Sequence, residues 1–121
     1  MFKNFLLVGL GGCLGSMLRF GAWHLFRSAN FPSATLIVNI TGSLIIGAVI
    51  GLSVKDVNFS QNWKLFLTTG ICGGFTTFSA FSVENLQMLQ NGKYLLSLLY
   101  ILSSIILGIL AAWIGFKLVN N

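Results

Sequence analysis

Charge is what this sequence has least of: 7 Lys and Arg against 2 Asp and Glu, 7% of 121 positions, where soluble domains carry about 25%. Too few charges remain to coat a water-facing surface, which excludes an ordinary soluble domain. Acids are the scarcest group, with Asp56 and Glu84 alone, and neither lies in the middle of an apolar run. Histidine occurs once and cysteine twice. Cys13 and Cys72 form no closely spaced ligand motif and read as small packing residues, and His24 reads as interfacial. No hydrolytic or redox constellation can be assembled, so the chain does not read as an enzyme. The single proline, Pro32, falls between apolar runs.

Hydrophobic residues make up 55% of the chain. Four runs, 4–26, 35–54, 65–83 and 95–116, approach the roughly 20 residues that span a bilayer core. These predict an all-α integral membrane protein, one transmembrane domain over 1–121 with no soluble module. Trp23 and Tyr94 fall near predicted ends on one side, and Trp63 and Trp113 on the other, where headgroup-level anchors are expected. Lys3 and the run after it resemble a signal peptide, and Leu10-Gly11-Gly12-Cys13 imitates a lipoprotein processing site. The run nevertheless continues to Arg19, so a retained first helix is expected.

Threading the helices places Lys3, Lys55, Lys64 and Lys117 on one side and Arg27 and Lys93 on the other, with Arg19 just inside the second. The net charge of +5 is thus divided between two faces and is no nucleic-acid signature. Four against three is too little bias to fix one orientation. A chain without bias can insert both ways, and two opposed copies can pair about an axis in the membrane plane. A dual-topology, antiparallel homodimer is the expected assembly.

Thr35, Asn39, Ser43, Gly47 and Gly51 recur every fourth residue in the second run, making a small, polar stripe. Gly11 and Gly15 offer the same in the first run, and Tyr100, Ser104, Gly108 and Ala112 in the fourth. Close helix packing accounts for the glycines but not for Asn39 or Tyr100, whose donors hydrocarbon cannot satisfy. Asn39 therefore reads either as a functional residue or as a hydrogen bond between helices. Arg19 has two readings of equal standing: a side chain snorkelling to the surface, or a fixed charge drawing anions into a vestibule.

The third run contains Gly70-Ile71-Cys72-Gly73-Gly74-Phe75-Thr76-Thr77-Phe78-Ser79-Ala80-Phe81. Lipid offers no partner to backbone groups freed by a glycine pair, so a break in this helix must line something polar. Phe75, Phe78 and Phe81 recur every third residue, interleaved with Thr76, Thr77, Ser79 and Ser82. A phenyl ring has a positive edge that can favour a small anion where water is scarce, and freed carbonyls can ligate a hard cation. A proton-coupled exporter of organic cations would need a membrane carboxylate to bind proton and cargo in turn. The only candidate, Glu84, lies at the far end of the third run, so the electrostatics lean toward an anion or a neutral solute.

Three blocks resemble the Fluc fluoride channels, also called the CrcB family, and the resemblance spans essentially the whole chain. Gly12-Cys13-Leu14-Gly15-Ser16-Met17-Leu18-Arg19-Phe20 is similar to the family's first-helix motif, with Ser16 and Phe20 where alanine and tyrosine are usual. Thr35-Leu36-Ile37-Val38-Asn39-Ile40-Thr41-Gly42 is similar to its second-helix motif. Gly70 to Phe81 is similar to its third, with Ala80 in place of the usual threonine.

The resemblance implies a dual-topology homodimer in the bacterial inner membrane, with two antiparallel fluoride pores at the subunit interface. It implies Asn39, Phe78, Phe81, Thr77, Ser79, Tyr100 and Ser104 along the fluoride pore and Arg19 at the vestibule. It further implies a structural sodium ion at the dimer interface, held by the backbone carbonyls of Gly73 and Thr76. Glu84 has a family counterpart but receives no role. The expected function is passive, fluoride-selective export that lowers cytoplasmic fluoride. Two rivals stand beside it: a small dual-topology multidrug or cation exporter, and a non-transporting membrane assembly subunit.

Overall fold

The computed structural model describes all residues, 1–121, and is helical throughout apart from short connections. Helix α1 covers Phe2–Phe26 and α2 covers Ser33–Lys55. The third span is assembled from α3 (Gln61–Leu65), a π-helical stretch (Phe66–Cys72), α4 (Gly73–Phe75) and α5 (Phe78–Gln90), and α6 (Tyr94–Asn120) closes the chain. Four spans, with Gln61–Gln90 counted as one, are long and apolar enough to cross a membrane.

Each helix outruns the apolar pattern that predicted it. The third span ends at Gln90 rather than near Val83, because the polar residues beyond Val83 point inward instead of forming a loop. Asn85 is buried and accepts a hydrogen bond from the equally buried Ser97 of α6 at 2.8 Å. Hydropathy alone registers Asn85 as the end of a helix; its partner makes it part of the core. The turn that follows closes with Lys93 N–H donating to the Met88 carbonyl at 2.8 Å and Gly92 N–H to Leu89 at 3.1 Å. Gly92 takes φ 73°, a left-handed conformation that glycine adopts without steric cost.

Small residues let backbones meet. A Cβ on Gly74 would overlap the Gly12 backbone of α1, and one on Gly47 would overlap Ala112 of α6. Gly51 lies against Phe116, so α2 and α6 run parallel, while Gly11 meets Gly70 and Gly15 meets Ile71, so α1 runs parallel to the third span. The spans therefore alternate in direction. Lys3, Lys55, Lys64 and Lys117 gather at one end, where Lys55 Nζ donates to the Val119 carbonyl at 3.0 Å and caps α6. Arg27 and Lys93 line a common cavity at the other end.

Only 17 of 121 residues are buried, so most apolar surface must be covered from outside the chain. Trp23, Trp63, Tyr94 and Trp113 are all exposed, as anchors at a headgroup boundary would be. Cys72 packs inside as expected, but Cys13 faces outward from α1 and packs on nothing within the chain.

Candidate functional site

The helical hydrogen bonds of the third span fail at Thr76 and Thr77, whose backbones are extended (ψ 156° and φ −150°, ψ 118°). In an uninterrupted helix Thr77 N–H would donate to the Gly73 carbonyl and Ala80 N–H to the Thr76 carbonyl. Here Thr77 N–H donates to Asn39 Oδ1 at 2.8 Å, and Ala80 N–H donates to Thr77 Oγ1 at 3.2 Å. Asn39 Nδ2 returns a bond to the Thr77 carbonyl at 3.1 Å. One side-chain amide thus brackets both backbone groups of Thr77, and the Thr77 hydroxyl caps α5. Both readings of Asn39 meet in this geometry: it joins two spans, and it does so at the discontinuity.

Releasing those donors exposes the carbonyls of Gly73 and Thr76. Arg19 Nη1 donates to the Thr76 oxygen at 3.1 Å, so the guanidinium reaches inward from α1 instead of snorkelling outward. A carbonyl oxygen has two lone pairs, so this bond leaves Thr76 able to ligate a cation. Two freed carbonyls suit a hard monovalent ion in donor chemistry. No group of three or more His, Cys, Asp or Glu is placed to hold a metal by side chains.

The three-membered aromatic stripe expected at Phe75, Phe78 and Phe81 does not form. The extended residues rotate Phe75 away, and it packs toward Gly42. Phe78 and Phe81 remain together at 5.6 Å between centroids, and Phe81 stacks on Tyr100 at 5.0 Å with 26° between planes. Phe31 meets the other side of Tyr100 edge-on at 5.5 Å. Tyr100 is fully buried, whereas Phe78 is 79% exposed on a face that nothing in the chain covers. Gly73 and Ser79 are exposed as well.

Glu84 was the residue without a role, and the structure connects it most closely to this group. Its Oε1 accepts from Thr35 Oγ1 at 2.5 Å and its Oε2 from the Tyr100 hydroxyl at 2.7 Å. A phenol has one proton to donate, so Tyr100 takes part through its ring rather than as a free donor. The available signal was spacing: Phe81 and Glu84 are three apart on α5, one turn of one face.

Asn39, Thr76, Thr77, Phe81, Tyr100 and Arg19 are thus brought together directly, and Phe78 and Ser79 adjoin them. Ser104 is not in contact with them. It sits one turn beyond Tyr100 on α6, its hydroxyl buried with no hydrogen-bond partner. A cavity of about 520 Å³ is lined by Ser16, Arg19, Thr35, Thr77, Ser79 and Ala80. A second, of about 600 Å³, opens toward Arg27 and Lys93, with Glu84 in its wall. Thr35 and Trp23 border both.

The sequence matches the family described as "CrcB-like protein, Camphor Resistance (CrcB)" over residues 6–116. It is 46% identical over 121 residues to the "Fluoride-specific ion channel FluC" of Azobacteroides pseudotrichonymphae, covering 98% of this chain and 97% of that protein. It is 45% identical over 116 residues to the protein of that name from Flavobacterium psychrophilum, covering 93% and 94% respectively. With the Thermus thermophilus protein of the same name it shares 46% identity over 119 residues, covering 96% and 93%.

Proposed function

The chain belongs to the CrcB family, and from that premise we propose that it is a fluoride-selective channel, passively exporting fluoride and lowering its cytoplasmic concentration. It is a multi-pass membrane protein and not an enzyme. The observation that carries the reading is what the interrupted backbone meets at Thr76 and Thr77: an amide, a guanidinium, hydroxyls and phenyl rings, with no free carboxylate at the break. Fluoride is small and strongly hydrated, so a path must replace its lost water with donors and positive ring edges. Hydrogen fluoride enters a cell neutral and dissociates, after which an inside-negative potential drives the anion out by about 2.3 kcal/mol per 100 mV.

The pore runs past Asn39, Thr77, Phe78, Ser79 and Phe81, continues by Tyr100 and Ser104 on α6, and takes its vestibule charge from Arg19. Two opposed copies in the bacterial inner membrane complete it. The exposure of Phe78, Ser79 and Gly73 supports this assembly, since a path lined by them within one chain would be open to lipid. The broken third span serves two ends: it directs Phe78 toward the path and frees the Gly73 and Thr76 carbonyls. These carbonyls, one pair from each subunit, would hold a structural sodium ion, which when bound adds positive potential midway across and links the two breaks. Neither the exporter nor the assembly-subunit reading is retained, because family membership speaks for fluoride and both Glu84 oxygens are already engaged.

Purified protein in liposomes, read with fluoride and chloride electrodes for wild type and Phe81→Ile, tests the reading. Rapid fluoride efflux without chloride efflux, lost in the variant, is expected. A folded dimer that passes no fluoride would overturn it.

A further inference from the structure

Glu84 is the single carboxylate inside the four spans, and a carboxylate beside an anion path is an electrostatic liability unless it performs some other task. Its surroundings indicate the task. Both oxygens accept hydroxyl protons, one from Thr35 on α2 and one from Tyr100 on α6. Glu84 is therefore the point where α2, α5 and α6 are joined. Charge-assisted bonds of this kind are shorter and about twice as strong as neutral ones, so the Tyr100 ring is held at its hydroxyl end. The held ring is the surface on which Phe81 stacks, and Phe31 closes its opposite side. Asn85, the next residue, donates through Nδ2 to the Phe81 carbonyl at 2.9 Å and is itself held by Ser97, so the Phe81 backbone is fixed independently of its ring.

We infer that Glu84 is a positioning residue for the permeation path: its carboxylate anchors Tyr100 and Thr35, and the anchored Tyr100 ring sets the plane of Phe81. The inference rests on the channel reading above. An anion that meets the edge of Phe81 is attracted, whereas one that meets its face is repelled, so a ring free to pivot loses both fluoride passage and discrimination. Engaging both carboxylate oxygens also directs the charge away from the path, and Arg27 and Lys93 line the cavity on that side.

The test compares fluoride and chloride efflux from liposomes for wild type, Glu84→Gln, Glu84→Ala, Tyr100→Phe and the Glu84→Ala/Tyr100→Phe double variant. Gln can accept from Tyr100 through its oxygen and donate to Thr35 through its nitrogen; it is expected to retain flux to within about threefold and to keep chloride out. Glu84→Ala and Tyr100→Phe are each expected to lose about tenfold or more and to admit chloride, since small misplacements of a working group have large effects. The double variant should be no worse than the poorer single one, as for residues acting in one chain of contacts. Glu84→Gln as poor as Glu84→Ala would show that charge matters and not anchoring, and additive losses would show separate roles; either overturns the inference. Should Glu84→Ala yield no folded dimer, Tyr100→Phe decides alone, and wild-type flux and selectivity there overturn it. Wild type without fluoride flux would instead remove the channel reading, and this inference with it.

Discussion

At Asn39 one amide takes over from helical bonds that the chain forgoes, and this makes it the most exposed residue to substitution. Asn39→Ala would leave the N–H and C=O of Thr77 without partners where water is scarce, at about 1–3 kcal/mol for a buried unsatisfied group. A lower unfolding temperature in detergent is expected, together with loss of fluoride flux; an unchanged unfolding temperature would show that the bracket carries no stability. Arg19 presents a different case, because its bond to the Thr76 oxygen and its charge can be separated. Arg19→Gln keeps a donor and removes the charge. If the charge gathers anions, fluoride efflux in the variant slows, and the deficit shrinks as an inert salt raises the ionic strength, since long-range attraction is screened. A deficit that does not change with salt would assign Arg19 to holding the break instead. Phe81 and Glu84 were equally visible in the sequence as an aromatic and an acid. Their connection was not, because it passes through Tyr100, 16 residues beyond Glu84 on another helix.

Among the elements, the third span is the one whose neighbours decide its form. The glycine pair marks where the helix is weakest, yet the two members are not equivalent. A methyl on Gly74 would meet the backbone of α1, while one on Gly73 would come no closer than 3.8 Å to any atom it could strike in the chain. Gly74→Ala is therefore expected to reduce the yield of folded protein, by overpacking that costs about 1–3 kcal/mol. Gly73→Ala is expected to fold and to form dimers more weakly, seen by size exclusion at low concentration. A Gly73→Ala dimer as tight as wild type would place the Gly73 face away from the partner. The period of three in Phe75, Phe78 and Phe81 was legible and misleading for one reason: spacing predicts a shared face only while the helix is continuous. Two extended residues between Phe75 and Phe78 carry the first ring to Gly42 and leave the other two for Tyr100.

For the whole molecule, the balance of Lys3, Lys55, Lys64 and Lys117 against Arg19, Arg27 and Lys93 survives folding. The first four gather at one end, and Arg27 and Lys93 share a cavity at the other. A C-terminal tag is expected on both sides of the membrane in cells, and accessibility from one side only would exclude the antiparallel pair. The freed carbonyls of Gly73 and Thr76 suggest an ion that belongs to the assembly and not to either chain. Purification with sodium replaced by a bulky organic cation is expected to lower flux, with recovery on adding sodium. Full activity throughout would remove the ion from the account.

By itself the sequence determined the solvent this protein lives in, the number of its spans and the place where one of them is interrupted. These follow from local quantities: hydropathy over about 20 residues, scarcity of charge, and a glycine pair within an apolar run. The family blocks narrowed the cargo, because residues near in sequence carry them. Only the tertiary structure decided what meets the interruption. Asn39 and Arg19 reach Thr77 and Thr76 across 38 and 57 positions, and Glu84 finds Thr35 across 49. In a bilayer, polar groups without water must find one another, and which ones do is fixed by the close approach of backbones at Gly12 and Gly74 and at Gly47 and Ala112, a matter of packing in three dimensions that no local window of sequence contains.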